Sequence, residues 1–184
     1  MADIAQSLVV IGQGYVGLPL AMRAVEVGYR VVGIDLDERR TAALQRGDSF
    51  VEDVTSDTVR DALETGCYLP STAYEAATDF DVAVITVPTP LRETLPDLSF
   101  IESAARSLAP FVTPGSCIIL ESTTYPGTTE ELLAPILEMG SGLRAGADFH
   151  VGYSPERIDP GNPHGSSPIR RRSFPESIRN RARG

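Results

Sequence analysis

Short apolar runs alternate along this chain with stretches whose apolar residues recur every three or four positions. The runs lie at 7–12 (SLVVIG), 29–36 (YRVVGIDL), 81–87 (DVAVITV), 116–122 (SCIILES) and 148–154 (DFHVGYS). They are rich in Val and Ile and lack a polar alternation, the pattern of strands buried on both faces. The helical patterns lie at 18–28, 37–47, 97–112 and 127–140. Strands alternating with helices imply right-handed βαβ crossovers, and so an α/β, Rossmann-type doubly wound parallel sheet. Residues 48–76 are less regular: TSDTVRDALETG reads as a short helix and CYLPSTA as a small strand.

Composition narrows the function classes. The chain of 184 residues is long enough for one domain and a tail. Its net charge of −9 hides an asymmetry: residues 166–184 hold six Arg against Glu176 alone, which leaves −14 on residues 1–165. An acidic body argues against nucleic acid as a partner, because phosphate contacts need clustered Lys and Arg. All 16 basic residues are Arg, so lysine chemistry is excluded from this chain. Cys67 and Cys117 have no CxxC spacing and no His neighbours, so no metal site is expected. No apolar run is long enough to span a membrane, and a cytoplasmic setting is the expectation.

The candidate chemistry starts at VVIGQGYVGLPLA, where Gly12, Gly14 and Gly17 form a G-x-G-x-x-G between a strand and a helix. Gly12 suits a tight turn, Gly14 allows backbone to approach a pyrophosphate, and Gly17 permits close helix–strand packing. The helix N-terminus adds free N–H groups and a positive dipole end. Asp35 closes the second strand eighteen residues after Gly17, where an acid binds ribose hydroxyls and repels a 2′-phosphate. NAD is therefore expected over NADP, with Arg40 as a cation that could reach a phosphate or stack on adenine. Asp35 could instead cap the next helix, a role open to Asp37 as well. A fold that has lost its ligand is the bland alternative.

Together, GQGYVGLPLA, VITVPTPL, ESTTYPGTTEE and YSPERIDPGN resemble the UDP-glucose/GDP-mannose dehydrogenase family over residues 7–162. ERIDPGN is similar to its UDP-N-acetylhexosamine 6-dehydrogenase branch. The resemblance implies oxidation of a sugar C6 hydroxyl to a carboxylate in two NAD-dependent steps, with no release of the aldehyde. It implies a pyrophosphate turn of Gly12, Gly14, Tyr15, Val16 and Gly17, with Asp35 and Arg40 at the adenosine end. Thr89 and Thr123 would face the cofactor's ribose and nicotinamide, and Thr123 and Glu156 would serve catalysis. Glu156, Arg157 and Ile158 would touch the UDP-sugar. Simpler roles stand beside these: local backbone bonding for Thr89, helix capping for Ser122, Thr123 or Thr124, packing for Tyr15, and a surface ion pair for Glu156 and Arg157.

The family's aldehyde step uses a Cys with a nearby Lys, carried by a segment that follows the Rossmann domain. A long helix for the homodimer contact and a second domain for the UDP-sugar follow as well. None of these is matched here, and residues 163–184 read as a basic, disordered tail poor in large hydrophobes. The expectation is a truncated or frame-shifted chain: a dinucleotide-binding domain at 1–162, its sheet incomplete at the C-terminal end, followed by an out-of-frame tail. Such a chain would bind NAD without completing the oxidation. A functional basic arm, a fragment of a UDP-glucose or GDP-mannose enzyme, and a nonfunctional remnant are the rival readings.

Overall fold

The computed structural model of the chain describes residues 6–92 and 95–155. Six strands form one parallel sheet: β1 (Ser7–Ile11), β2 (Arg30–Ile34), β3 (Tyr68–Ser71), β4 (Val82–Ile85), β7 (Cys117–Leu120) and β8 (His150–Tyr153). They pair in the order β3-β2-β1-β4-β7-β8. A short antiparallel ribbon, β5 (Leu91–Arg92) with β6 (Leu95–Pro96), stands outside that sheet and interrupts only the numbering. The strand order is that of the doubly wound dinucleotide fold. The helices are α1 (Gly17–Glu26), α2 (Glu38–Gln45), α3 (Ser56–Glu64), α4 (Ser99–Leu108) and α5 (Ala134–Ser141).

The central strands are buried on both faces, and β1 shows why its sequence has no polar alternation. Val9 and Ile11 join the apolar cluster beneath α4 and α5, while Leu8 and Val10 join the one beneath α1 and α3. Successive side chains point to opposite faces, so a strand covered twice needs an apolar residue at every position. On α1, Leu18, Ala21 and Met22 are buried, spaced three and four apart, and they close the second cluster. Turn chemistry ends the elements where the chain reverses: α2 runs out before Gly47 at φ +81°, and α5 stops at Gly142 at φ +73°. An L side chain rarely adopts such values, which is why glycine serves there.

Residues 48–76 hold both elements expected of them, α3 and β3. The ribbon within 91–96 was not foreseen, since two-residue strands leave no period to detect. Nor was the π-helical turn Thr129–Leu133 that leads into α5. Among the described residues, the parallel sheet carries six strands in the doubly wound order, as the alternating pattern predicted. The last is short, and the run 148–154 contributes only four residues to it. The tail at 163–184 lies outside the described residues. Among those described, no helix is long and apolar enough to cross a membrane.

Candidate functional site

Crossovers leave β1 and β4 in opposite directions, so their carboxyl ends part and open a crevice, the place where ligands collect in such sheets. A cleft of about 240 Å³ lies there. Its walls come from the ends of β1 (Ile11, Gly12, Gly14), β2 (Ile34, Asp35, Leu36) and β4 (Thr86, Val87, Pro88). Arg40, Tyr74 and the face of α4 at Phe100, Ser103 and Ala104 complete it.

The three glycines of the turn have different physical reasons. Gly12 sits at φ +94°, and a Cβ there would meet the Thr86 carbonyl oxygen at 3.0 Å. Gly17 is buried against the turn: its Cβ would fall 1.7 Å from the Gly12 carbonyl oxygen and 2.5 Å from Thr86 Oγ1. Gly14 has no internal reason to be glycine, since nothing lies within 4 Å of its Cβ position. Openness toward the cleft is what a pyrophosphate would use. In the first turn of α1, the Leu18 N–H donates to the Gly14 carbonyl oxygen at 3.1 Å and Pro19 has no N–H. No side chain caps this helix and its first turn carries no acid, whereas Asp37 and Thr55 cap α2 and α3. A helix start with no side-chain cap, beside an open glycine, forms a cradle for an anion, and these residues fit a dinucleotide pyrophosphate.

Asp35 is nearly buried and holds two loops together. Its Oδ2 accepts from the backbone N–H of Gln13 at 2.9 Å, and its Oδ1 from that of Asp37 at 2.9 Å. Each oxygen keeps further lone pairs for a ligand hydroxyl. The helix-capping role belongs to Asp37, whose Oδ1 accepts from the Arg39 N–H at 2.9 Å. Arg40 lies 3.9 Å from both Asp35 and Asp37 and packs over the Phe50 ring, 5.5 Å from its centroid. Its guanidinium lies at the cleft wall.

The two threonines are brought together, away from the cleft lining. Thr89 Oγ1 donates to the Thr123 carbonyl oxygen at 2.7 Å, a bond across 34 residues and not a local turn. Ser122 Oγ donates to the Val87 carbonyl oxygen at 2.9 Å and is buried, so it ties the same two loops and caps no helix. Tyr15 is 55% exposed. Val16 stands at the N-cap of α1. Glu156, Arg157 and Ile158 lie outside the described residues.

Sequence reading missed Thr86, Gln13, Tyr68 and Tyr74. Thr86 Oγ1 reaches both the Ile11 and Gly12 carbonyl oxygens, at 2.9 and 2.8 Å, and so holds the turn from β4. Burial, and then the negative charge of Asp35, pushes the Tyr74 hydroxyl up to about 12; the same causes raise that of Tyr68. An unfolded tyrosine loses its proton near pH ~10. Above that pH the unfolded chain binds fewer protons than the folded one, so stability falls as pH rises toward the folded values. Each tyrosine should remove ~1.4 kcal/mol per pH unit across that window. In denaturant melts between pH 10 and 12, Tyr74→Phe should flatten the slope by one tyrosine's share. An unchanged slope would contradict the assignment.

Comparison with known proteins agrees with this geometry. The family model described as the NAD binding domain of the UDP-glucose/GDP-mannose dehydrogenase family matches residues 6–166. A UDP-N-acetyl-D-glucosamine 6-dehydrogenase of Pseudomonas aeruginosa is 42% identical over 156 residues, covering 83% of this chain and 36% of that protein. A UDP-N-acetyl-D-mannosamine dehydrogenase of Pyrococcus horikoshii is 37% identical over 155 residues, 84% of this chain and 37% of its own. The solved structure of the Pyrococcus horikoshii UDP-D-ManNAc dehydrogenase superimposes with a TM-score of 0.80, over 85% of this chain and 37% of that one, at 37% identity. A ternary complex of GDP-mannose dehydrogenase from Pseudomonas aeruginosa gives 0.78 at 30% identity, over 83% of this chain and 36% of that one. The chain thus spans a little over a third of the length of these relatives. With its switch-point cleft and open glycine turn, the chain belongs to the UDP-glucose/GDP-mannose dehydrogenase family, which it matches over that family's NAD-binding domain.

Proposed function

We propose that this domain holds NAD in the cleft and presents it to a nucleotide sugar of the UDP-N-acetylhexosamine class, as part of an enzyme that oxidises the sugar's C6 alcohol to a carboxylate. The observation that carries the reading is the meeting of an open Gly14, an uncapped α1 and Asp35 around one crevice. Gly12, Gly14, Tyr15, Val16 and Gly17 cradle the pyrophosphate. Asp35 takes the adenosine ribose hydroxyls, and its charge disfavours a 2′-phosphate. Arg40 lies against the adenosine, and the Thr89–Thr123 pair stands toward the nicotinamide end. Bound NAD supplies the hydride acceptor. The acetamido-sugar class is supported by likeness to the UDP-N-acetylglucosamine and UDP-N-acetylmannosamine dehydrogenases. Glu156, Arg157 and Ile158 are assigned to the substrate side, with Glu156 and Thr123 near the reacting carbon.

The same reading has this segment binding cofactor without completing the oxidation. Cys117 opens β7 and Cys67 directly precedes β3, so both thiols lie at the amino ends of strands. The cleft is at the carboxyl ends, about 13 Å away along a four-residue strand. Burial raises the Cys117 thiol, which further disfavours a thiolate. No lysine is present.

Calorimetric titration of the full chain with NAD tests the proposal, with UDP-N-acetylglucosamine added and NADH absorbance followed in parallel. Heat of binding and no NADH is the expected result. Sustained NADH production would overturn the division of labour, and no heat would overturn the cofactor site. Gly14→Ala should weaken NAD about tenfold or more. Its melting temperature should stay within about 2 °C of wild type, because its Cβ enters open space. Unchanged NAD affinity would remove Gly14 from the pyrophosphate contact.

A further inference from the structure

The glycine turn rests on a buried polar pair that the cofactor assignments leave unused. Gln13, between the first two glycines, is fully buried. Its Nε2 donates to the Val10 carbonyl oxygen at 2.9 Å, and its Oε1 accepts from the Tyr68 hydroxyl at 2.7 Å. Chemistry dictates this orientation. A backbone carbonyl can only accept, so the amide NH2 must face Val10 and the hydroxyl must be the donor to Oε1. Tyr68 is 3% exposed and opens β3, the edge strand, 55 residues along the chain.

The fold makes room for this pair at some expense. Gly33 sits inside β2, between β1 and β3, where glycine is a poor strand former. A Cβ at Gly33 would fall 2.6 Å from Gln13 Oε1 and 2.8 Å from the Tyr68 hydroxyl oxygen. Burying an amide and a hydroxyl also sacrifices hydration, and an apolar pair of similar volume would fill the space without that loss. Packing alone does not call for Gln13, Tyr68 and Gly33 together. What they achieve is at the backbone. The Gln13 side chain is pinned at both polar ends, which fixes the peptide plane between Gly12 and Gln13. That peptide's N–H is the one that donates to Asp35 Oδ2 at 2.9 Å.

We propose that the Gln13–Tyr68 pair is a positioning device for Asp35. It aims the carboxylate into the cleft and links edge strand β3 to cofactor affinity and to the choice of NAD over NADP. Neither side chain touches the cofactor; both act through the Gln13 peptide. The proposal rests on the reading of Asp35 as the ribose-binding acid.

The test uses the full 184-residue chain and four variants: Tyr68→Phe, Gln13→Met, the double variant and Val59→Ala. Val59 is fully buried on α3 in the same apolar cluster as Tyr68, and serves as a control for lost stability. NAD and NADP affinities are measured by calorimetry well below each melting temperature, so that every sample is folded. Each single polar variant should raise the Kd for NAD about three- to tenfold and narrow the preference over NADP. The double variant should be no worse than the weaker-binding single one, because both break the same bond. Val59→Ala should melt earlier with its Kd unchanged.

Kd values within about twofold of wild type in both single variants, with lowered melting temperatures, would make the pair merely structural and overturn the proposal. So would additive losses in the double variant, or an equal loss in Val59→Ala. Should Gln13→Met fail to fold, Tyr68→Phe decides alone, since it removes one oxygen and no volume elsewhere. Failure of the underlying reading looks different. Wild type would then bind no NAD, or bind NADP equally well, and the positioning role would fall with it.

Discussion

Gly17→Ala should be the most damaging single-methyl change in the domain. The new Cβ would fall 1.7 Å from the Gly12 carbonyl oxygen and 2.5 Å from Thr86 Oγ1. Neither can move aside cheaply. The carbonyl is main chain inside the turn, and Thr86 Oγ1 is already bound to the Ile11 and Gly12 carbonyls. Overpacking of flexible side chains costs about 1–3 kcal/mol. A clash with fixed backbone belongs at or above the top of that range, against a total stability of about 5–15 kcal/mol. We expect a melting temperature lower by about 6–12 °C and NAD binding lost with the turn. A melting temperature within about 2 °C of wild type would contradict the close approach of α1 to β1. Gly14→Ala makes the contrast: the same methyl, three residues earlier, meets nothing.

Asp35→Asn should be the largest loss of affinity that leaves the fold standing. Both carboxylate oxygens already accept backbone N–H groups, from Gln13 and from Asp37. An asparagine offers only one oxygen, so its NH2 must face one of those donors. The substitution keeps the shape yet costs one of these two backbone bonds. It also removes the charge that strengthens hydrogen bonds to ribose hydroxyls. Bonds to a charged group contribute about 1.5–3 kcal/mol, so NAD should bind roughly 10- to 100-fold more weakly. NADP should lose much less, because repulsion of its 2′-phosphate disappears as well. Titrating both cofactors gives the answer. Equal losses for the two would deny Asp35 its role at the ribose, and an unchanged Kd for NAD would deny it any role.

Reach along the chain decides which parts of this site could be read in advance. Gly12, Gly14 and Gly17 lie within six residues, between a run of Val and Ile and an amphipathic stretch, so their register with strand and helix is visible locally. Asp35 is recognisable for the same reason, as the acid that closes the next apolar run. Choosing between Asp35 and Asp37 as the cap of α2 was beyond the sequence: both precede the helix, and only backbone geometry gives the cap to Asp37. Thr89 was marked by its place after β4, yet its partner is a carbonyl 34 residues away. Gln13 and Tyr68 left one faint trace, the glycine inside the strand at position 33, which often marks a close approach by another group.

By itself, the sequence determined the alternation of buried strands and helices, the glycine turn, the acid beyond the second strand and the family that these motifs belong to. Each is a periodic or short-range pattern, and local backbone preference or continuous burial is enough to impose it. Tertiary structure alone decided the cleft and what braces it. The crevice exists because β4 lies beside β1, and the turn is held because Thr86 at the end of β4 reaches back to Ile11 and Gly12. Tyr68 finds Gln13 because β3 pairs with β2 in a register that sets Val31 opposite Tyr68 and leaves Gly33 as the gap between them. Such contacts join residues dozens of positions apart. Strand order and register set them, and no local pattern encodes either.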